Sequence, residues 1–202
     1  MPGRERMHQL GLEGVHLAQK ILESTTWIEL PMVASHNENA CALDMLDGSE
    51  KVFDAAGHIL RDPMTQLYVE CKNYTTAGNQ ATEYKEFLAH AYSHTAYQIE
   101  ERKRDPGVEF MWFTTHPFGV TGWSDLTSMS AVRAAIAEYS GLLGEVPDST
   151  GAMVPRQVDD EIARKVAERV WLVTVSHRQT ELTLTPAELS SIEGILNRKG
   201  RS

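Results

Sequence analysis

The sequence predicts an α/β or α+β domain that is built around a mixed β-sheet. Three observations lead to this prediction. Apolar residues recur at helical spacing in several long segments, and shorter segments show the alternating or continuous apolar pattern of strands. The two kinds of segment are interleaved along the chain, which is typical of a layered fold of helices and sheet. The 202 residues are 42% hydrophobic and 23% charged, an ordinary globular composition.

The first part of the chain is predicted to contain one helix and three strands. The helix covers residues 9–24, the strands cover 27–30, 40–46 and 66–72, a loop covers 36–39, and the segment 51–60 holds a turn at 54–57. The clearest strand is 66–72 (QLYVECK), because its side chains alternate between two faces. One face carries Leu67, Val69 and Cys71, and the other carries Tyr68, Glu70 and Lys72.

The rest of the chain is predicted to be mostly helical, with two further strands. The helices cover residues 80–104, 128–140, 157–170 and 186–197, and the strands cover 108–115 and 171–176. The strand 108–115 (VEFMWFTT) is almost continuously apolar, which is typical of a strand with both faces covered. The glycines and prolines of 141–156 indicate a linker between a core, 1–140, and a C-terminal extension, 157–202, that packs on the core as part of one domain.

Composition excludes several classes of protein. No apolar run approaches the ~20 residues of a membrane span, and the first residues lack the apolar segment of a secretory signal. Two cysteines, Cys41 and Cys71, do not make a disulfide framework, so we expect a cytoplasmic protein. The net charge of −9 argues against nucleic-acid binding through the overall field. Any contact with phosphates must therefore be local, metal-assisted or shared with a partner.

Glu70 and Lys72 are the first candidates for chemistry. Two residues apart on a strand, they emerge on one face about 7 Å from each other. If a neighbouring strand brings Asp44 alongside, two carboxylates converge, and a hard divalent cation such as Mg²⁺ relieves their repulsion. Lys72 would then orient or deprotonate a water and offset charge on a phosphate. This combination indicates phosphodiester hydrolysis.

The acid-x-lysine pattern by itself is not specific. It also occurs at Glu83/Lys85 and Glu101/Lys103, but both pairs fall in a predicted helix, where residues two apart point in different directions. Only Glu70/Lys72 ends an apolar strand. The alternative reading is that these two charges protect a sheet edge from aggregation.

The first carboxylate also has an alternative. Asp44 precedes Glu70 by 26 residues, which is long for adjacent strands, whereas Asp54 precedes it by 16. We prefer Asp44 because it lies within an alternating segment, while Asp54 begins an Asp-x-x-Gly sequence that is typical of a turn. The long separation indicates an insertion, which we expect to be a small extra β-unit near the substrate.

These features resemble the PD-(D/E)XK nuclease superfamily, which has the restriction-endonuclease-like fold. The resemblance covers about residues 9–115 and is carried by the segments GLEGVHLAQKIL, TTWIEL, ALDML and YVECKNY, followed by a long helix and an apolar strand. It implies an αβββαβ core in which Asp44 and Glu70 bind Mg²⁺, or Mn²⁺ in its place, and Lys72 assists the attacking water. It also implies the backbone carbonyl of Cys71 as a ligand, and Glu13 resembles a helix glutamate that some members add.

The resemblance extends to substrate and setting. Gln80-x-x-x-Tyr84 is similar to the Gln/Tyr motif of RecB-like members, and Asn73, Tyr74 and Gln80 are candidate substrate contacts. The implied function is a Mg²⁺-dependent DNA endonuclease, acting as a homodimer or beside a partner protein, with restriction or anti-phage defence as its setting. RNA is a weaker candidate substrate, because no feature reads a 2′-hydroxyl. The alternative is a catalytically inactive, nuclease-like binding or assembly subunit of a DNA-processing complex.

Overall fold

The computed structural model describes residues 2–74, 76 and 78–198. In chain order its helices are α1 (Pro2–Thr25), α2 (Ala34–Cys41), α3 (Gln80–Ala96), α4 (Met129–Glu138), α5 (Asp160–Arg169) and α6 (Pro186–Arg198). Its strands are β1 (Ile28–Val33), β2 (Ala42–Asp44), β3 (Glu50–Val52), β4 (Ala55–Ile59), β5 (Thr65–Lys72), β6 (Glu109–Thr114), β7 (Glu145–Pro147), β8 (Met153–Pro155) and β9 (Val170–Thr174).

A mixed sheet of five strands forms the centre of the molecule, in the order β1-β4-β5-β6-β9. The pairs β1–β4 and β4–β5 are antiparallel, whereas β5–β6 and β6–β9 are parallel. The chain crosses from β5 to β6 through α3, and from β6 to β9 through α4 and α5. The mixed α and β architecture predicted from the sequence is therefore confirmed, with strand pairs of both orientations in one sheet.

Helices cover both faces of this sheet. On one face, Val15, Ala18 and Leu22 of α1 belong to one buried cluster with Leu67 and Val69 of β5. On the other face, helices α3, α4 and α5 form a larger cluster around the aromatic side chains of the sheet. All six residues of β6 are buried, as its continuous apolar sequence predicts. Side chains of β5 therefore alternate between an α1 face and an α3 face.

Two predictions for residues 31–60 are wrong. Residues 36–39 lie in α2, which is interrupted at Asn37, rather than in a loop. Residues 51–60 contain the end of β3 and all of β4, the second strand of the main sheet. The sequence of β4, Ala-Ala-Gly-His-Ile, contains few of the β-branched and aromatic residues that mark strands. It forms a strand because β1 and β5 pair with it on both sides.

Gly57 shows how closely β1 and β4 approach each other. A Cβ atom placed on Gly57 would lie 1.8 Å from the carbonyl oxygen of Glu29. A glycine that looks like a turn residue in the sequence is thus required inside a strand, where a neighbouring backbone leaves no space.

Several described residues after 140 belong to the same core. The segment predicted as a linker contains the short β7–β8 hairpin. Ile162 and Val166 of α5 are buried against the α3 side of the sheet, and β9 extends the sheet beyond β6. Within the described part of the chain, no helix combines the length and apolar character needed to cross a membrane.

Candidate active site

Glu70 and Lys72 lie together at the end of β5, on the α3 face of the sheet. Glu70 is 7% exposed, and its Oε1 atom lies 3.0 Å from the Nζ atom of Lys72. The same ammonium lies 3.2 Å from Oε2 of Glu83, in the first turn of α3. The two side chains share a face because residues two apart on a strand point the same way. An acid and a lysine thus form a partly buried ion pair at the core's rim.

Asp54 is the carboxylate that the structure brings beside Glu70. It immediately precedes β4, whose residues Ala55 and Ala56 pair with Val69 and Tyr68 of β5. One step further along this antiparallel register, Asp54 faces Glu70. The N–H of Cys71 donates a hydrogen bond to Oδ2 of Asp54, with an N···O distance of 2.7 Å. This bond fixes the Asp54 carboxylate against the strand that carries Glu70 and Lys72.

Asp44 is not part of this group, contrary to the preference from sequence. It pairs with Glu50 in the separate β2–β3 hairpin, its side chain is 58% exposed, and its Oδ2 atom lies 3.9 Å from Nη2 of Arg102. The 26 residues from Asp44 to Glu70 hold β3 and the main-sheet strand β4 rather than an extra unit between two core strands. The extra unit is α2 with the β2–β3 hairpin, between β1 and β4, and it carries Asp44 out of the main sheet. Asp54, the alternative that looked like a turn residue, takes the position beside Glu70.

Burial and neighbouring charges shift the pKa values of Asp54 and Lys72. Burial, followed by the charge of the neighbouring Glu70 carboxylate, raises the pKa of Asp54 from 3.8 to about 6. Burial lowers the pKa of Lys72, but the surrounding carboxylates, Glu70 first, outweigh that effect and hold the pKa above the ordinary lysine value. Lys72 therefore remains an ammonium near neutral pH, and it can donate hydrogen bonds but not accept a proton.

Lys51 is a member of the group that the sequence did not indicate. Its Nζ atom, on β3, lies 3.3 Å from Oε2 of Glu70. No sequence pattern singles out this residue, because Lys51 begins a stretch that reads as a turn. Tyr74 completes the surroundings: its hydroxyl donates to the Glu83 carboxylate at 2.7 Å. Burial, followed by this bond, raises the pKa of Tyr74 to about 12.

Three other predicted site residues, Glu13, Asn73 and Cys71, have their side chains on other elements or in other contacts. Glu13 is exposed on α1, which packs on the opposite face of the sheet from Glu70. Asn73 directs its Oδ1 atom to Nε2 of His177, 3.0 Å away. The thiol side of Cys71 is buried in the α1 cluster, and the role of its backbone carbonyl as a ligand stays a prediction.

Gln80 is fully buried and occupied by structural hydrogen bonds. The Thr114 hydroxyl donates to its Oε1 atom at 2.6 Å, and its Nε2 atom donates to the His116 carbonyl at 3.1 Å. Both ends of the amide thus tie the start of α3 to the end of β6. This arrangement favours a structural role over the predicted substrate contact. Tyr84 likewise lies in the core, as one of its largest buried side chains.

The donor set fits a hard divalent cation. Among the described residues, no three or more His, Cys, Asp or Glu side chains cluster as a metal site. Mg²⁺, however, is commonly bound through only one or two carboxylates together with waters. Asp54 and Glu70 supply two such groups, and Oε2 of Glu70 is buried without a hydrogen bond from the part of the chain that is described. Carboxylate oxygens are the ligands that Mg²⁺ and Mn²⁺ prefer.

Comparisons with known proteins assign neither a family nor a function to this chain. No family model matches the chain, and no curated protein or solved structure matches it significantly. Nothing in them identifies a PD-(D/E)XK protein. The role of the site is therefore inferred from its own geometry and chemistry.

Proposed function

We propose that the protein is a Mg²⁺-dependent nuclease that hydrolyses phosphodiester bonds, with Asp54 and Glu70 as the metal-binding carboxylates and Lys72 beside them. The observation that carries this proposal is the placement of Asp54 opposite Glu70, with Lys72 on the same face. The Asp54 carboxylate costs folding free energy, because burial and the neighbouring Glu70 charge disfavour its ionisation and raise its pKa. Groups with such perturbed pKa values are concentrated at functional sites.

Each residue has a defined part in this chemistry. A bound Mg²⁺ would supply positive charge to the scissile phosphate and lower the pKa of a coordinated water. Lys72, held by Glu70 and Glu83, donates hydrogen bonds to the attacking water or to a phosphate oxygen, where negative charge develops. Because its pKa is raised, positioning and charge compensation are better supported than proton abstraction.

The order of elements also supports the proposal. Along the chain, α1 and the antiparallel strands β1, β4 and β5 are followed by α3 and the parallel strand β6. This order corresponds to the αβββαβ core that the resemblance implies, with α2 and the β2–β3 hairpin inserted after the first strand. DNA is the proposed substrate by the same resemblance. The net charge of −9 favours a homodimer or a partner protein that contributes to nucleic-acid affinity.

The decisive experiment is a cleavage assay with matched aspartate variants. Supercoiled plasmid and a labelled duplex oligonucleotide are incubated with the wild-type protein and Mg²⁺, and with EDTA as the metal-free control. Asp54→Asn and Glu70→Gln should abolish metal-dependent cleavage, whereas Asp44→Asn should retain it. Cleavage that survives Asp54→Asn but is lost in a folded Asp44→Asn variant would overturn the assignment. Circular dichroism confirms that each variant is folded.

A second candidate is an inactive, nuclease-like binding or assembly subunit. It is favoured by one observation: two ammonium groups, from Lys51 and Lys72, already lie against the Glu70 carboxylate and compensate its charge without a metal. Calorimetry with Mn²⁺ separates the two functions. If the protein is a nuclease, the wild type should bind Mn²⁺ and Asp54→Asn should not. If it is an inactive subunit, the wild type should show no heat of Mn²⁺ binding.

A further inference from the structure

Lys51 reaches the site from outside the main sheet. It lies on β3, opposite Leu43 in the hairpin inserted between β1 and β4. Its side chain is 26% exposed, and its Nζ atom lies 5.6 Å from the ring centroid of Phe53, which is fully buried. The ammonium is thus held near a fixed aromatic ring, at the rim of the core, with part of its surface open to solvent.

The two lysines at Glu70 are not equivalent. Lys72 contacts Glu70 Oε1 and is also held by Glu83. Among the described residues, Glu70 is the one acid within ion-pair distance of Lys51, and its Oε2 atom accepts no hydrogen bond from that ammonium. Lys51 is therefore the more easily displaced of the two. A cation that approaches Oε2 would meet it directly and repel it.

The net charge of the site determines whether Lys51, once displaced from Glu70, can pair with a phosphate. The three carboxylates of Asp54, Glu70 and Glu83 and the two ammoniums leave one uncompensated negative charge, which disfavours a phosphate. A divalent cation would reverse this to one positive charge. The loaded site then attracts a phosphodiester, and the ammonium released from Glu70 is beside it.

We propose that Lys51 is a substrate-binding residue: its ammonium pairs with Glu70 in the metal-free protein and with a phosphodiester oxygen once a divalent cation is bound. This inference rests on the proposed function and adds to it a phosphate contact supplied by the inserted hairpin. Metal binding and substrate binding are thereby coupled, because Lys51 competes with the metal for Glu70 and then contributes to substrate binding.

The first test measures Mn²⁺ affinity by calorimetry in the absence of nucleic acid. Lys51→Gln removes the competitor for Glu70, so Mn²⁺ should bind several-fold more tightly than to the wild type. Lys85→Gln is the matched control, since Lys85 is an α3 lysine whose partner, Glu138, is 2.7 Å away and outside the site. The control should leave Mn²⁺ affinity unchanged. Unchanged or weaker Mn²⁺ binding by Lys51→Gln would contradict the exchange.

The second test measures binding of a labelled duplex oligonucleotide by fluorescence anisotropy, with Ca²⁺ in place of Mg²⁺. Lys51→Gln should weaken binding about tenfold and reduce the slope of log affinity against log salt by about one phosphate contact. Lys51→Arg should restore most of the affinity, and Lys85→Gln should behave as the wild type. If Lys51→Gln binds the duplex like the wild type, Lys51 is only a structural ion-pair partner.

The two proposals fail in distinguishable ways. If the wild type binds no Mn²⁺, the nuclease assignment fails and the inference about Lys51 fails with it. If the wild type binds Mn²⁺ and Asp54→Asn removes that binding, but Lys51→Gln changes neither metal nor duplex affinity, only the inference about Lys51 is wrong.

Discussion

Asp54 and Glu70 face each other across the β4–β5 pair, and the peptide N–H that follows Glu70 holds the Asp54 carboxylate in place at 2.7 Å. This relationship brings two acids from segments 16 residues apart into one partly buried group. The pKa of Asp54 near 6 is its measurable consequence, because burial and then the Glu70 charge oppose ionisation.

Replacing Asp54 by asparagine should therefore stabilise the metal-free protein. An acid whose folded pKa is raised binds more protons in the folded state than in the unfolded state between pH 3.8 and about 6. Its cost to stability is thus fully present above pH 6 and disappears as the pH falls towards 4. A shift of about two units corresponds to about 3 kcal/mol. Asparagine keeps an acceptor for the Cys71 N–H and has no charge to bury.

Urea denaturation of the wild type and Asp54→Asn, with EDTA present, measures this difference. The variant should be more stable by about 1–3 kcal/mol at pH 8, and the two curves should converge as the pH approaches 4. Asp44→Asn is the control, since this exposed carboxylate lies outside the buried group. If the difference in stability between the variant and the wild type is the same at pH 8 as at pH 4, the raised pKa of Asp54 is contradicted.

Replacing Lys72 by methionine should remove cleavage while Mn²⁺ still binds. The methionine keeps the length of the apolar stem but has no ammonium to position water or phosphate. Loss of one such donor typically lowers kcat by about 10²–10³-fold. Single-turnover cleavage at saturating Mg²⁺ gives the rate, and calorimetry gives the Mn²⁺ affinity. A rate within threefold (about 0.6 kcal/mol) of the wild type would exclude the proposed role.

Gln80→Ala should affect stability more than catalysis. The substitution removes the acceptor of the buried Thr114 hydroxyl and one of the two donors to the His116 carbonyl, and the loss of these two hydrogen bonds costs about 1–3 kcal/mol. Thermal unfolding measures the loss, and the cleavage rate at a temperature where the variant is folded should stay close to that of the wild type. A large drop in kcat with little loss of stability would instead support the substrate contact that the sequence suggested.

Gly57→Ala should prevent β1 and β4 from pairing normally. The added methyl group would overlap the Glu29 carbonyl, 1.8 Å from the Cβ position, and backbone on both strands would have to move. We expect destabilisation of more than about 3 kcal/mol or loss of soluble folded protein. Gly141→Ala is the control, because nothing lies within 4 Å of its Cβ position. Equal stability of the two variants, measured by urea denaturation, would contradict the close approach.

The sequence by itself determined the features that depend on local periodicity. Alternation along β5 put Glu70 and Lys72 on one face, and the continuous apolar run of β6 predicted a strand covered on both sides. Helix α3 begins at Gln80, as predicted from the sequence, and its regular α-helix ends at Ala96, before residue 104. These properties follow from residues a few positions apart, so a pattern in the chain is sufficient to reveal them.

Only the tertiary structure decided which residues meet Glu70. Lys51 lies on β3 and Asp54 immediately precedes β4, so their positions depend on strand pairing and register, which no local pattern encodes. The Asp-x-x-Gly sequence that reads as a turn instead leads into β4, because β1 and β5 pair with this segment on both sides. The close approach of β1 leaves space only for glycine at position 57. Side-chain direction is a local property of the chain, whereas a cross-strand neighbour is a property of the assembled sheet.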